Sequence, residues 1–126
     1  NAKILLPNEI EGGKFDLNEQ DIIMMTQEQT SIIPEKSVDL AVNIASMQEM
    51  KGTDIDFYFR VIDRIIKPGG YFFSSNRVEK MMSGGSSSHF FEYPWRHSTR
   101  KIINEIDPLV RLVQLDSAFM RLEQYI

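Results

Sequence analysis

No cysteine occurs in the 126 residues, so neither a disulfide framework nor a thiolate metal site can form. A reducing compartment is compatible with that, and the expected location is cytoplasmic. Long apolar runs are missing too: none approaches the roughly 18–20 residues that span a bilayer, and no membrane partner is expected. The opening residues Asn1-Ala2-Lys3-Ile4 lead into no long apolar region or cleavage signature, so no signal peptide is expected. The chain starts without methionine, as a processed, trimmed or proteolysed chain would. An excess of positive charge is also lacking. Fourteen Lys and Arg against eighteen Asp and Glu give a net charge of -4, which argues against phosphate-backbone binding, so no nucleic acid is expected. There are only two histidines, without the His-x-x-x-His spacing of a metal site, and no metal is expected. No internal repeat is visible.

What remains is ordinary for a soluble globular chain, with 42% apolar and 25% charged residues. Ile4-Leu5-Leu6-Pro7 predicts a short strand closed by proline, and the polar stretch with Gly12-Gly13 a loop. Asp21 to Met25 predicts a buried strand, and Thr26 to Ser31 a loop. Ser37 to Ile44 is nearly continuously apolar and fits a parallel strand covered on both faces. Ala45 to Gly52 predicts a turn with one loose helical turn.

The clearest helix spans Asp54 to Lys67. Ile55, Tyr58, Phe59, Ile62, Ile65 and Ile66 form one apolar stripe, Thr53 is placed to cap it, and Pro68-Gly69-Gly70 to stop it. Tyr71 to Ser75 is a second core strand. Strand, helix and strand in this order make a βαβ unit with parallel strands and a right-handed crossover. Met82 to Ser88 predicts either a mobile loop over a site or a solvated linker. Ser98 to Ile106 predicts a short helix with Ile102, Ile103 and Ile106 inward. Val110 to Leu115 and Phe119 to Tyr125, about a short turn, predict a terminal antiparallel hairpin. The methionines at 24, 25, 47, 50, 81, 82 and 120 are expected mostly as gap-filling core residues.

This order of elements, with Lys67-Pro68-Gly69-Gly70 ahead of the second strand and Val38-Asp39-Leu40 opening the first, resembles the second half of the class I methyltransferase fold. Three longer segments resemble the sugar O-methyltransferase family more narrowly: Asn43 to Met50, Tyr71 to Lys80, and Glu92-Tyr93-Pro94-Trp95. The resemblance covers roughly residues 20 to 126. It implies an α/β, Rossmann-like three-layer methyltransferase fold of which this chain is the C-terminal part, with parallel strands, a crossover helix and a terminal antiparallel hairpin. It also implies S-adenosyl-L-methionine as cofactor and a small-molecule or glycan hydroxyl as methyl acceptor. The glycine-rich turn after the first strand of that fold, and the acid after its second, have no counterpart here, since Gly12-Gly13 does not stand between a strand and a helix. Residues 1–126 are therefore expected to be a partial domain lacking its glycine-rich cofactor half. A complete one needs on the order of 100 further residues upstream. This stretch alone is not expected to turn over.

In open α/β sheets, ligands bind beyond the carboxyl ends of the strands. That places Thr26 to Glu28, Asn43 to Glu49 and Asn76 to Lys80 on the functional edge. Gln27 is the candidate for an adenine contact, with Asn43 and Ser46 beneath the cofactor; the alternatives are a solvated loop and backbone capping. Glu49 is placed either to take a proton from a sugar hydroxyl or to orient it, with Gln48 assisting, and is otherwise an exposed acid before the helix. His89 or His97 is an alternative base, or either is a plain surface histidine. Asn76 is a candidate substrate contact. Tyr93 and Trp95 either stack on a sugar ring or pack in the core. Arg77, Glu79 and Lys80 are an alternative surface charge cluster. The rival reading is a non-catalytic α/β interaction module, with a homodimer favoured by the open faces of a cut sheet.

Overall fold

The computed structural model describes residues 2–13, 15–81, 85–96, 98–109 and 117–126. These fall into two compact units, Asn1–Pro34 and Glu35–Ile126.

In the first unit, β1 (Ile4–Leu5) pairs in parallel with β2 (Ile22–Ile23). Between them lies α1 (Pro7–Glu11), where the residue pattern predicts a loop. Proline suits the first helical position because it lacks an N–H that would go unbonded there anyway. Glu9 reaches back to accept from the Leu6 N–H at 2.8 Å. The expected strand Asp21–Met25 shrinks to two residues. Ile22 and Met24 are half exposed, so this is no buried strand: β1 is itself only two residues long and offers no longer ladder.

The second unit holds a four-stranded sheet in the order β3-β4-β8-β7. Its strands are β3 (Val38–Ile44), β4 (Ile66–Arg77), β7 (Thr99–Ile106) and β8 (Ala118–Tyr125). β3 and β4 are parallel, and β8 runs antiparallel to both β4 and β7. The crossover between β3 and β4 is α2 (Gly52–Ile65), and Ile55, Phe59, Ile62 and Ile65 of the predicted stripe are its buried residues. Two details differ. The residue at the helix N-cap is Lys51, without a side-chain bond, so Thr53 lies inside the helix and does not cap it. The helix also ends at Ile65, before the Pro-Gly-Gly run.

That run serves β4 instead. Val38 is opposite Ile66 while Leu40 is opposite Tyr71, so residues 67–70 form a bulge. Gly69 takes φ 82°, which favours glycine. A Cβ on Gly70 would meet the Asp39 and Lys67 carbonyls at 3.0 Å, tighter than an ordinary contact, so the close approach of the two strands favours glycine here. Lys67 pairs with Asp39 across the bulge.

Helix α2 covers one sheet face, where Phe59 meets Phe72 edge to face at 5.6 Å. Phe90 (fully buried), Tyr93 and Trp95 complete this aromatic core. On the opposite face Leu40, Val42 and Ile44 are more than half exposed. The expectation of cover on both faces of β3 is thereby corrected: α2 lies on the other side, and no described residues bury these three.

A second correction concerns Ser98 to Ile106, which is strand β7 and not a helix. The register shifts between Lys101 and Ile103, and this bulge breaks the period-two pattern. Ile102 and Ile106, expected inward, are almost half exposed. The terminal strand β8 pairs antiparallel with β7; the first arm of the expected hairpin, Val110 to Leu115, lies outside the described residues. So do His97 and Met82. Part of the expected loop over Met82 to Ser88 is instead strand β6 (Ser87–His89), antiparallel to β5 (Glu79–Met81). Of the methionines expected in the core, Met47 is buried, whereas Met24 and Met81 are exposed.

Candidate functional site

Parallel β3 and β4 end side by side, Ile44 opposite Ser75. The chain leaves β3 through Ala45, whose φ of 52° lies in the left-handed region that non-glycine residues seldom adopt. The Ala45 N–H still donates to the Ser75 carbonyl at 2.8 Å. This reversal sets up the 3-10 turn Met47–Glu49, directly beyond the strand ends.

A network of amides fastens that turn. Asn76, 1% exposed, donates from Nδ2 to Asn43 Oδ1 and to Ser74 Oγ, both at 2.9 Å. Its Oδ1 accepts from the Gln48 N–H at 3.2 Å. Gln48 Oε1 accepts from the Arg77 N–H at 2.7 Å, and Gln48 Nε2 donates to Glu49 Oε1 at 3.1 Å. Asn43 Nδ2 donates to Ser46 Oγ at 2.5 Å. Both amide hydrogens of Asn76 are thus engaged. Ser46 is exposed and keeps its own hydroxyl hydrogen to offer outward.

Glu49 stands at the outer end of this network, with its side chain about half exposed and Lys80 Nζ 3.2 Å from Oε1. The Gln48 amide, and after it Lys80, hold the Glu49 carboxyl below the usual carboxylate range. A carboxylate held ionised in this way is a weaker base and a better fixed acceptor.

The turn carrying Glu49 packs on both β5 and β6, which brings His89 into the same neighbourhood. His89 Nε2 lies 2.7 Å from Ser87 Oγ and 3.9 Å from Glu79 Oε1. Its ring borders a cleft of about 350 Å³ that Met50, Ile55, Asp56 and Tyr93 also line. Tyr93 is buried, with its hydroxyl 3.1 Å from Ser88 Oγ, and burial pushes its pKa up. Trp95 packs among Phe59, Phe72 and Phe90 and donates from Nε1 to the Phe90 carbonyl at 2.9 Å.

Asn43, Ser46, Gln48, Glu49, Asn76 and His89 therefore gather at one sheet edge. Tyr93 reaches that region through the cleft, whereas Trp95 belongs to the aromatic core. Gln27 belongs to the first unit, at the head of the 3-10 turn Glu28–Ile32. Sequence reading missed Ser74 and Ser87; it placed Ala45 and Lys80 on the functional edge but gave neither a role, with a surface charge cluster as the alternative for Lys80. No local pattern marks them, because their partners come from other elements. Among the described residues no His, Cys, Asp or Glu cluster could hold a metal, and no helix is long and apolar enough to cross a membrane.

The sequence matches no protein-family model and no curated protein. Solved structures do resemble it. The PH0226 protein from Pyrococcus horikoshii OT3 superposes with a TM-score of 0.54 at 11% identity, over all of this chain and 82% of that one. TTHA0409 from Thermus thermophilus, a putative DNA modification methylase, gives a TM-score of 0.51 at 11% identity. That match covers 99% of this chain, which spans only about half of TTHA0409 (53%). At such identities the likeness speaks for fold alone, and the fold is α/β and Rossmann-like.

Proposed function

We propose that this chain is the C-terminal part of an S-adenosylmethionine-dependent O-methyltransferase whose acceptor is a sugar or glycan-precursor hydroxyl. One observation carries the reading. A crossover helix joins two parallel strands whose ends gather Asn43, Ser46, Gln48, Glu49 and Asn76, on a sheet completed by an antiparallel terminal hairpin. The likeness in fold to TTHA0409 supports the methyl-transfer class. The narrower segment resemblance supports the sugar.

The residues present fit the cofactor in part. The exposed Ser46 hydroxyl, which accepts from Asn43 Nδ2 and keeps its own hydrogen, suits a polar ligand lying across the end of β3. The glycine turn that lets a backbone approach closely is not among these residues. When bound, S-adenosylmethionine supplies a methyl group on a sulfonium sulfur.

This chain's residues serve the acceptor. Glu49, held ionised, accepts a hydrogen bond from a sugar hydroxyl and orients it. His89 takes the proton that the acceptor oxygen gives up as it gains the methyl. Nε2 already makes a contact of 2.7 Å with Ser87 Oγ, the hydrogen-bond reach that proton transfer from an acceptor hydroxyl needs. Gln48 and Asn76 keep Glu49 in position, and Tyr93 lines the cleft wall beside His89.

The test is incubation of the longest encoded chain with methyl-labelled cofactor and a panel of sugars and glycan precursors. Label in an ether linkage is expected. His89→Ala and Glu49→Ala should each lower turnover at least about tenfold while cofactor affinity holds. Absence of label from every acceptor would count against the reading.

A second reading has its own observation. The bare strip Leu40, Val42 and Ile44 favours a non-catalytic assembly module that pairs with its own copy. Sedimentation that shows only monomer at tens of micromolar would remove it.

A further inference from the structure

Within the second unit, a cleft of about 380 Å³ opens between the segment Phe91 to Arg96 and the start of β7. We propose that it binds the phosphate group of a small phosphorylated molecule.

Three cations line it, Arg96, Lys101 and Arg121, and among the described residues no acid does. The acids stand behind them and hold the guanidiniums in place. Glu123, 1% exposed, accepts from Arg121 Nε at 2.6 Å and also from Nη2. Asp63 lies 3.9 Å from Arg96 Nη1 and accepts from the Tyr125 hydroxyl at 2.7 Å. Arg121 is further fixed by the Trp95 ring, 4.2 Å from its Cζ. Its Nη1 is left outside the Glu123 bond. Lys101 sits opposite Glu123 and Thr99 opposite Tyr125, which puts both on the same sheet face as Arg121. Thr99 Oγ1 donates to the Arg96 carbonyl at 3.1 Å and fixes the rim. Lys101 has no ion pair among the described residues.

Positioned guanidiniums and one free ammonium around a small cleft suit a compact dianion, since charge-assisted bonds to phosphate are roughly twice as strong as neutral ones. A polynucleotide does not fit: it needs a basic stripe, and the chain's net charge is -4. Lys101 lies opposite Glu123, which lies opposite Phe72, short of the Ser75 to Arg77 end of β4 that neighbours Glu49. The cleft shares Tyr93 and Pro94 with the one beside His89, but the proposal rests on its cations and not on methyl transfer.

Trp95 is the only tryptophan, and Arg121 lies over its ring, so its fluorescence reports on the site directly. The 126-residue chain is titrated with inorganic phosphate, with chloride at matched ionic strength and with acetate. A saturable change with phosphate alone is expected. Lys101→Gln and Arg96→Gln, both at exposed positions, should each weaken it about fivefold or more. A response that chloride reproduces, a linear response, or unchanged affinity in Lys101→Gln would overturn the site. Equal saturation by acetate would overturn its assignment to phosphate.

Discussion

Replacing Asn76 by alanine probes the amide network that holds the Glu49 turn. The substitution takes a partner from three groups at once. The buried Gln48 N–H loses its acceptor, the fully buried Ser74 Oγ loses its donor, and Asn43 Oδ1 keeps only the longer bond from the Met47 N–H at 3.4 Å. Each broken bond costs about 1 kcal/mol net, and more where the remaining group stays dry. The vacated space adds about 1 kcal/mol. The sum, about 3–4 kcal/mol, is a large part of the 5–15 kcal/mol of an ordinary domain and corresponds to a melting temperature lower by roughly 10–20 °C. Urea unfolding followed by Trp95 fluorescence measures it, because Trp95 lies in the same unit. Ser46→Ala is the control. Ser46 is exposed and its bond to Asn43 lies at the surface, so a loss of at most about 1 kcal/mol is expected. A cost below about 1 kcal/mol for Asn76→Ala, or one equal to the control, would show that the turn is not held as described.

Glu123→Gln leaves the buried Arg121 without its counter-charge and should cost about 3–5 kcal/mol in denaturant unfolding, whereas Arg121→Met with Glu123→Leu should cost less than the single change. Ala45→Val forces a β-branched residue into φ 52° and should destabilise by about 1–2 kcal/mol, while Ala45→Gly should be nearly neutral; equal melting temperatures for the two would refute the strain. After the Gln48 amide, Lys80 is the next group that depresses the Glu49 pKa, so in Lys80→Met a carboxyl titration by NMR should move upward while the Gln48 bond and the Arg77 charge keep it short of the ordinary value. The sign follows from linkage: a depressed folded-state pKa gives a contribution present above the unfolded pKa and lost as pH falls through the folded one. A Glu49 titration unmoved by Lys80→Met would remove that contact from the account of the site.

The parts legible in the sequence were those with local causes. The stripe Ile55, Phe59, Ile62 and Ile65 has one period and one solution, and the parallel pair it joins followed from it. Pro68-Gly69-Gly70 announced a break, but not that Gly70 eases the close approach to Asp39 some thirty positions away. Strand β7 looked helical because its bulge at Lys101 puts Ile102, Ile103 and Ile106 at a spacing that either structure can show. At the candidate site, Asn43, Gln48 and Glu49 were found through the rule that strand ends hold ligands. Their mutual bonds were not visible, since Asn76 lies 28 positions from Gln48 and 33 from Asn43. The β5–β6 hairpin, which brings His89 near Glu49, was hidden behind a glycine-serine stretch with the composition of a linker.

The most direct measurement is a calorimetric titration of S-adenosylmethionine and its demethylated product into the 126-residue chain and into the longest encoded version. Saturable binding by the longer chain alone is predicted, because the residues at the ends of β3 and β4 supply only part of the walls. No binding by either would contradict a methyltransferase and favour the assembly module. Saturable binding by the short chain would contradict the need for a separate glycine-rich half.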